Sequence, residues 1–297
     1  MDRRRLEARA ADVVERMVRR LPRRATLAAG RALGRLLGDL DRRHVAIAAR
    51  NLQHAFPAWD ESRTWRTARA VYAHFGAVLL DILWLSSRTA GQIRALVEVE
   101  GREHVERAMA AGRGALLISG HLGNWELHGV VHGLLFGPIH AVARPLDNPD
   151  LDRRLCAMRT MAGNTVVYKQ RALAQILRAL RHGGGIAILI DQNVLPSDGI
   201  FVDFFGRKAA TTTVAAALAV KTGCALVPSR TELLPDGRYR LTYVPALEWT
   251  PSGDRQADIA DLTQRLTTRI EDWVRETPEQ WLWMHRRWKT RPPGETA

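Results

Sequence analysis

Cysteine is nearly absent: Cys156 and Cys224 are the two in 297 residues, far apart in the chain. That excludes a disulfide framework and a Cys-rich zinc site, and fits a reducing compartment. The first twenty residues, MDRRRLEARAADVVERMVRR, lack the apolar core of a secretory signal. No stretch reads as the roughly 18 apolar residues of a membrane span. The best candidates, Gly76–Leu85 (broken by Asp81) and Val214–Val220, read as core helices. The expectation is a chain kept in the cytoplasm that touches a membrane from outside. The glycines Gly183–Gly185 precede an apolar run and no GK[ST] is present, so they are not a phosphate loop. H-E-x-x-H is missing too, as are internal repeats, low-complexity segments and obvious linkers.

What is present is 46% hydrophobic content and a formal net charge of +13. The first allows a large core. The second calls for an anionic partner, which composition leaves open among nucleic acid, an anionic membrane and an acidic carrier protein. From Leu6 to Pro22 the residues Val13, Val14, Met17, Val18 and Leu21 recur at helical spacing between arginines. Further helices are expected over Ala25–Leu40, Arg42–Phe56 and Ser62–Leu85. Basic amphipathic helices suit an anionic membrane surface, and equally a solvated face packed on a core.

Beyond residue 97 the pattern changes. Val97–Glu100 alternates, and strand-like runs follow at Ala115–Ile118, Ile139–Ala143, Thr165–Tyr168, Ile186–Ile190, Ala225–Pro228 and Tyr239–Val244. Helical stretches separate most of them: Leu127–Leu135, Leu151–Met161, Ala172–Arg181, Thr212–Thr222 and Ala257–Glu276. The alternation predicts an α/β fold, a sheet flanked by helices. The division is 1–96, a helical Arg-rich region, and 97–297, an α/β core.

The chemistry concentrates in GALLISGHLGNWELHG, Gly114–Gly129. A buried strand that stops at a glycine and presents a histidine builds a site on an α/β sheet. Residues five apart stand roughly 140° apart on a helix. His121 and Glu126 therefore converge only if His121 sits at the strand end and Glu126 on the helix that follows. A neutral imidazole can take a proton from a hydroxyl, and a carboxylate can fix its tautomer. The bland alternative is a capping His and a surface Glu.

Three other stretches stand out. Arg144 ends the Ile139–Ala143 strand in AVARPLDNPDLD, placed either to grip a phosphate or to bond Asp147 in a turn. Asp191 and Gln192 emerge from the Ile186–Ile190 strand on the edge expected for His121. In FVDFFGRKAATTT, Phe201, Phe204 and Phe205 are candidates for an acyl pocket or for plain core, and Arg207 and Lys208 stand before a helix whose amino end attracts anions. At the end, PEQWLWMHRRWKTRPPG interleaves Trp281, Trp283 and Trp288 with Arg286, Arg287 and Lys289. That mix suits a membrane boundary or single-stranded nucleic acid.

The spacing H-x4-E, the wording GHLGNWE, the R-P-x-D-N-P segment after Arg144, the acidic residue at 191 and the ending PEQW…RWKTRP together resemble the bacterial lipid A biosynthesis (lauroyl/myristoyl) acyltransferases. These belong to the wider HX4D/E group of lysophospholipid acyltransferases. The resemblance runs from about residue 20 to 294 and extends to the phosphatidylinositol mannoside acyltransferases. It implies a glycerol-3-phosphate acyltransferase-type fold and transfer of a fatty acyl group from acyl-acyl carrier protein, or acyl-CoA, to a hydroxyl of an anionic glycolipid, first a lipid A precursor. By the same resemblance His121 is the base, Glu126 its support and Asp191 an orienting acid. Arg144 binds phosphate, with Asn124, Gln192 and Arg207 as further substrate contacts. Backbone amides near Gly120–Gly123 are expected to face the oxyanion. Neither cofactor nor metal is implied, and the place of action is the cytoplasmic face of the inner membrane. The rivals are acylation of another lysophospholipid, a basic nucleic-acid binder, which should not depend on His121, and an inactive scaffold.

Overall fold

The computed structural model describes residues 3–168 and 172–295. Four helices open the chain: α1 (Arg3–Val18), α2 (Arg23–Leu40), α3 (Arg42–Ala55) and α4 (Glu61–Leu85). Asp41 and Asp60 start α3 and α4 by accepting the exposed amides of His44 and Arg63. Alternating strands and helices follow: α5 (Ala90–Arg94), β1 (Val97–Glu100), α6 (Arg102–Ala110), β2 (Ala115–Ser119), α7 (Trp125–Phe136), β3 (Ile139–Ala143), α8 (Pro149–Thr160), β4 (Thr165–Tyr168), α9 (Ala172–Arg181) and β5 (Gly185–Leu189). The chain continues through β6 (Gly199–Phe204), β7 (Arg207–Thr212), α10 (Val214–Thr222), β8 (Ala225–Leu233), β9 (Tyr239–Tyr243) and α11 (Arg255–Glu276).

Seven strands form one sheet in the order β1-β9-β8-β2-β5-β3-β4, parallel except where β9 runs against β8. β2 lies near the centre, and its five residues are all buried. A parallel strand covered on both faces needs such an unbroken apolar run, which explains ALLI. One core packs Leu116, Ile118, Ile186 and Ile188 against α9, α10 and α11, and takes in Val45, Leu52 and Tyr72 from the N-terminal helices. The other packs Leu117, Ile139 and Val227 against α6, α7 and α8. The expected α/β sheet flanked by helices is what the chain forms.

One element is added to the expected set, and one expectation changes. Gly199–Thr212 is an antiparallel hairpin, with Phe204 opposite Arg207 and a two-residue turn at Phe205-Gly206, both at positive φ (54° and 70°). That is the turn twist hairpins favour, and a phenylalanine in it conceals the signal. In addition, α4 reaches the length and composition of a membrane span, with mean hydropathy 1.4 over an 18-residue window. The apolar run does not stop at Asp81, because that carboxylate is wholly buried and gripped by Arg23. Of that window, 56% is buried inside the protein.

Candidate active site

The sheet sets the geometry. β2 and β5 are neighbours in parallel register as far as Ser119 opposite Leu189, and the Ile190 amide donates to Ser119 O at 3.1 Å. The chains leaving the two strands therefore carry His121 and Asp191 side by side, at the carboxyl edge where α/β sheets bind ligands. The His121 amide donates to Asp191 Oδ2 at 2.7 Å, and its ring Nδ1 lies 2.7 Å from Oδ1. Trp281 Nε1 donates to Oδ2, also at 2.7 Å. A carboxylate only accepts, so the Nδ1 proton points at Asp191, and in the neutral ring Nε2 is the nitrogen with the lone pair. Gln192 Nε2 approaches that nitrogen at 3.2 Å. Burial pushes the Asp191 carboxyl up, but the charge and hydrogen bonds of His121 and Trp281 win and hold it at about 2. Asp191 is thus ionised at neutral pH.

The turn that carries His121 is held from the far end of the chain. Gly123 N–H donates to Gln280 O (2.9 Å), and Leu282 N–H donates to His121 O (3.2 Å). Gly123 has φ 60°, and a Cβ there would stand 1.7 Å from Thr231 O. A Cβ on Gly120 would stand 2.9 Å from Asp191 Oδ2. The G-H-x-G pattern is what lets the turn close on its acid and on β8. The same contacts narrow the oxyanion expectation for Gly120–Gly123: the amides of His121 and Gly123 are already committed to Asp191 and Gln280.

Glu126 stands in the first turn of α7, as the spacing requires, but no hydrogen bond joins it to His121. Its carboxylate is clamped by Arg159 of α8, Nε to Oε2 at 2.7 Å and Nη2 to Oε1 at 2.5 Å. Trp125 Nε1 adds a bond at 3.2 Å. The carboxylate that meets the His121 ring is Asp191, because the adjacent strand end is nearer the ring than the helix turn is. Sequence reasoning missed Arg159. It sits among four arginines between 144 and 159, and only the packing of α8 on α7 singles it out. Its Nη1 is buried without a partner in the protein.

The other expected residues divide. Arg144 lies at the cleft with its side chain 86% exposed, and its ion pair with the equally open Asp147 is long, 3.7 Å. Asn124 is wholly buried: Oδ1 caps α7 through the Leu127 amide (3.0 Å), and Nδ2 donates to Tyr239 OH (3.2 Å). It holds the start of the helix and does not line the cleft. Arg207 begins β7 rather than α10, separated from that helix by the whole strand, and it does not line the cleft. Phe204 and Phe205 leave the cleft too, packing on Trp281, Trp283 and Trp288. Those tryptophans are 1%, 0% and 6% exposed, so they are core and not a membrane boundary. Arg287 is buried among them, with Nη1 donating to Ala210 O at 2.6 Å.

His121, Glu126, Arg144, Arg159 and Gln192 share the wall of one cleft of about 1960 Å³, about twice the upper end for small-molecule pockets. It runs from α1 and α4 over the strand ends and between the sheet and helices α7 and α8. There Leu117, Ala187 and Ala141 stand at one level on three adjacent strands, under Gly129 and Ala157. Ala141 and Ala187 on the sheet and Gly129 and Ala157 on the helices give this part of the cleft, whose wall includes His121, a small and apolar lining. Among the described residues, no three His, Cys, Asp or Glu side chains converge as metal ligands would.

A family model described as bacterial lipid A biosynthesis acyltransferase matches residues 10–290. The chain is 31% identical to the lipid A biosynthesis lauroyltransferase of Escherichia coli over 85% of its own length and 81% of the relative's. It is 29% identical to the lipid A biosynthesis palmitoleoyltransferase of the same organism, over 86% and 82%. Identity is also 29% to the phosphatidylinositol mannoside acyltransferase of Mycolicibacterium smegmatis, over 74% and 71%.

Proposed function

Because the chain belongs to the bacterial lipid A biosynthesis acyltransferase family, and so transfers an acyl group to a glycolipid, we propose that it moves a fatty acyl chain from an acyl-carrier-protein or CoA thioester to a hydroxyl of a lipid A precursor, with His121 as the base. The observation that carries this reading is the Asp191–His121 contact at 2.7 Å, which takes up Nδ1 and leaves Nε2, on a ring that lines the cleft, as the nitrogen for the proton transfer. Nε2 takes the acceptor hydroxyl proton while that oxygen attacks the thioester carbonyl. Asp191 stabilises the imidazolium. The tetrahedral intermediate collapses, the C–S bond breaks, and the proton on Nε2 goes to the departing thiolate. Arg159 Nη1, held in place by Glu126, supplies positive charge for the oxyanion or for an acceptor phosphate. Gln192, 3.2 Å from Nε2 in the absence of substrate, gives that nitrogen up to the acceptor hydroxyl, and Arg144 attracts anionic headgroups at the mouth.

The surface supports a membrane-borne substrate. Leu79, Leu146, Leu173 and Val214 line the cleft and are exposed, while α1 presents Leu6, Val13 and Met17 outward between arginines. An apolar lip with cations behind it suits an anionic bilayer, on the cytoplasmic face. Residues 1–96 serve as the docking region and 97–297 as the catalytic unit. A phosphatidylinositol mannoside as acceptor is the second reading, favoured by the mycobacterial relative. The test is His121→Ala assayed with an acyl thioester and each glycolipid. Transfer should fall by about 10²–10⁴-fold with the fold intact, and undiminished turnover would sink the assignment.

A further inference from the structure

The segment RWKTRP, residues 287–292, does not line the cleft. It crosses β7, where Arg287 Nη1 donates to Ala210 O at 2.6 Å and Arg291 Nη1 donates to Lys208 O at 2.7 Å. Between these two bonds Trp288 stacks on Phe204, with ring centroids 5.7 Å apart, and meets His54 of α3 edge-on at 5.5 Å. Phe204 is the cross-strand partner of Arg207. His54, Arg207 and Arg291 thus gather about one indole from three separate parts of the chain. Burial, and then the charges of Arg207 and Arg291, push the His54 imidazole below its usual value; burial and Arg291 do the same to the Arg207 guanidinium. The acid that meets this group is Glu295, whose carboxylate pairs with Arg291 Nη2. The Arg207 side chain forms no hydrogen bond or ion pair among the described residues. The Arg291 side chain is 8% exposed, yet its Nε finds no partner, and neither does Nε1 of the buried Trp288. Buried N–H groups are nearly always satisfied.

We propose that Arg207, Arg291, His54 and the Trp288 N–H form a binding site for a phosphate group, separate from the cleft, in which Glu295 is the stand-in that phosphate displaces. A guanidinium grips an oxyanion through two parallel N–H groups. With Nη1 spent on Lys208 O, Arg291 has Nε and Nη2 left for such a grip, and Glu295 uses only Nη2. Guanidinium and indole are donors without acceptors, so the site offers nothing to a cation. A phosphate brings up to two negative charges and several acceptor oxygens to two arginines, where Glu295 brings one charge. The ligand has a way in, because His54 and Glu295 are exposed and Arg207 is half-buried. Such a group is carried by a phospholipid headgroup or by a soluble phosphate ester. The site stands apart from the acyl-transfer reading, since none of its residues lines the cleft.

The test follows the His54 imidazole of the full chain by nitrogen NMR, identified by its loss in His54→Gln, with inorganic phosphate titrated against chloride at equal ionic strength. An anion held beside the ring favours the imidazolium, so saturating phosphate should raise the proton affinity of His54 about tenfold. Arg207→Gln should weaken phosphate about tenfold, the loss of a charge-assisted contact. Glu295→Gln should tighten it a few-fold, because the competing carboxylate is gone. Neither side chain is part of the core, and melting curves check that both variants fold. Lys221→Gln, which removes an exposed charge from the last turn of α10, should change nothing. A His54 ring that phosphate leaves unmoved, or moves equally in Arg207→Gln, overturns the site. So does an equal loss of affinity in Lys221→Gln, which would show diffuse charge only. Sedimentation with phosphatidylglycerol vesicles separates the sources. Co-sedimentation that weakens in Arg207→Gln assigns the site to a lipid headgroup. Co-sedimentation equal in both chains, with inorganic phosphate still held at His54, assigns it to a soluble phosphate ester.

Discussion

The strand side of the cleft and its helix side each bury one acid against one basic side chain, and the two pairs have different capacities. On the strand side Asp191 faces an imidazole, whose ordinary titration lies near neutrality, so the pair can pass a proton in and out. On the helix side Glu126 faces a guanidinium, which stays protonated at any working pH. That pair can hold a charge in place and cannot carry a proton. The identity of the basic partner, more than that of the acid, decides which of the two pairs can exchange a proton. An H-x4-E spacing therefore names two residues of one site without making them partners.

Substitutions can break this contrast in graded steps. Asp191→Asn should cost the most, about 10⁴-fold in turnover, because a carboxamide no longer fixes the imidazole tautomer. Steady-state rates within tenfold of the unaltered enzyme would show that His121 works without its acid. Arg159→Gln comes next, lowering transfer by about 10²–10³-fold through lost oxyanion stabilisation. It should also destabilise the fold by about 3 kcal/mol, since Glu126 is left buried and unpaired. Adding Glu126→Gln should restore the denaturation midpoint and not the activity, which separates the pair's structural role from its electrostatic one.

A smaller effect concerns acid stability. Asp191 is depressed to about 2 when folded, below its unfolded value of roughly 3.9. Its contribution is therefore complete above about pH 4 and is lost as pH falls through 2, on the order of 2 kcal/mol in all. Asp191→Asn should flatten that limb of a stability-versus-pH curve, whereas Glu126→Gln should leave it in place. Arg144→Ala should do least. The side chain stands in solvent, and an exposed ion pair such as that with Asp147 contributes little. The expected result is a few-fold rise in KM for an anionic acceptor, with kcat and melting temperature unchanged.

The sheet was legible because short apolar runs mark its strands: ALLI is wholly buried, the Ile186–Ile190 run largely so, and Ile139–Ala143 is buried at Ile139 and half-buried beyond it. His121 and Asp191 were legible for the same reason, since both leave the ends of such strands. Arg159 was not, because nothing local distinguishes a clamping arginine from its exposed neighbours on the same helix. The two basic, apolar ends of the chain show the limit most clearly. Composition describes α1 and the tryptophan segment alike, yet one leaves Val13 and Met17 outside while the other buries Trp281 and Trp283 completely. Only the tertiary partners, Phe204, Phe205 and Asp191, tell them apart.

The stitching of the His121 turn to residues 280–282 has a consequence for biosynthesis. A ribosome has completed every strand of the sheet by Tyr243, yet Gln280, Trp281 and Leu282 must still emerge before the turn gains its backbone ladder and Asp191 its indole. Until then the nascent chain has a nearly finished scaffold and an unassembled site, which closes only once residues 280–282 have joined it.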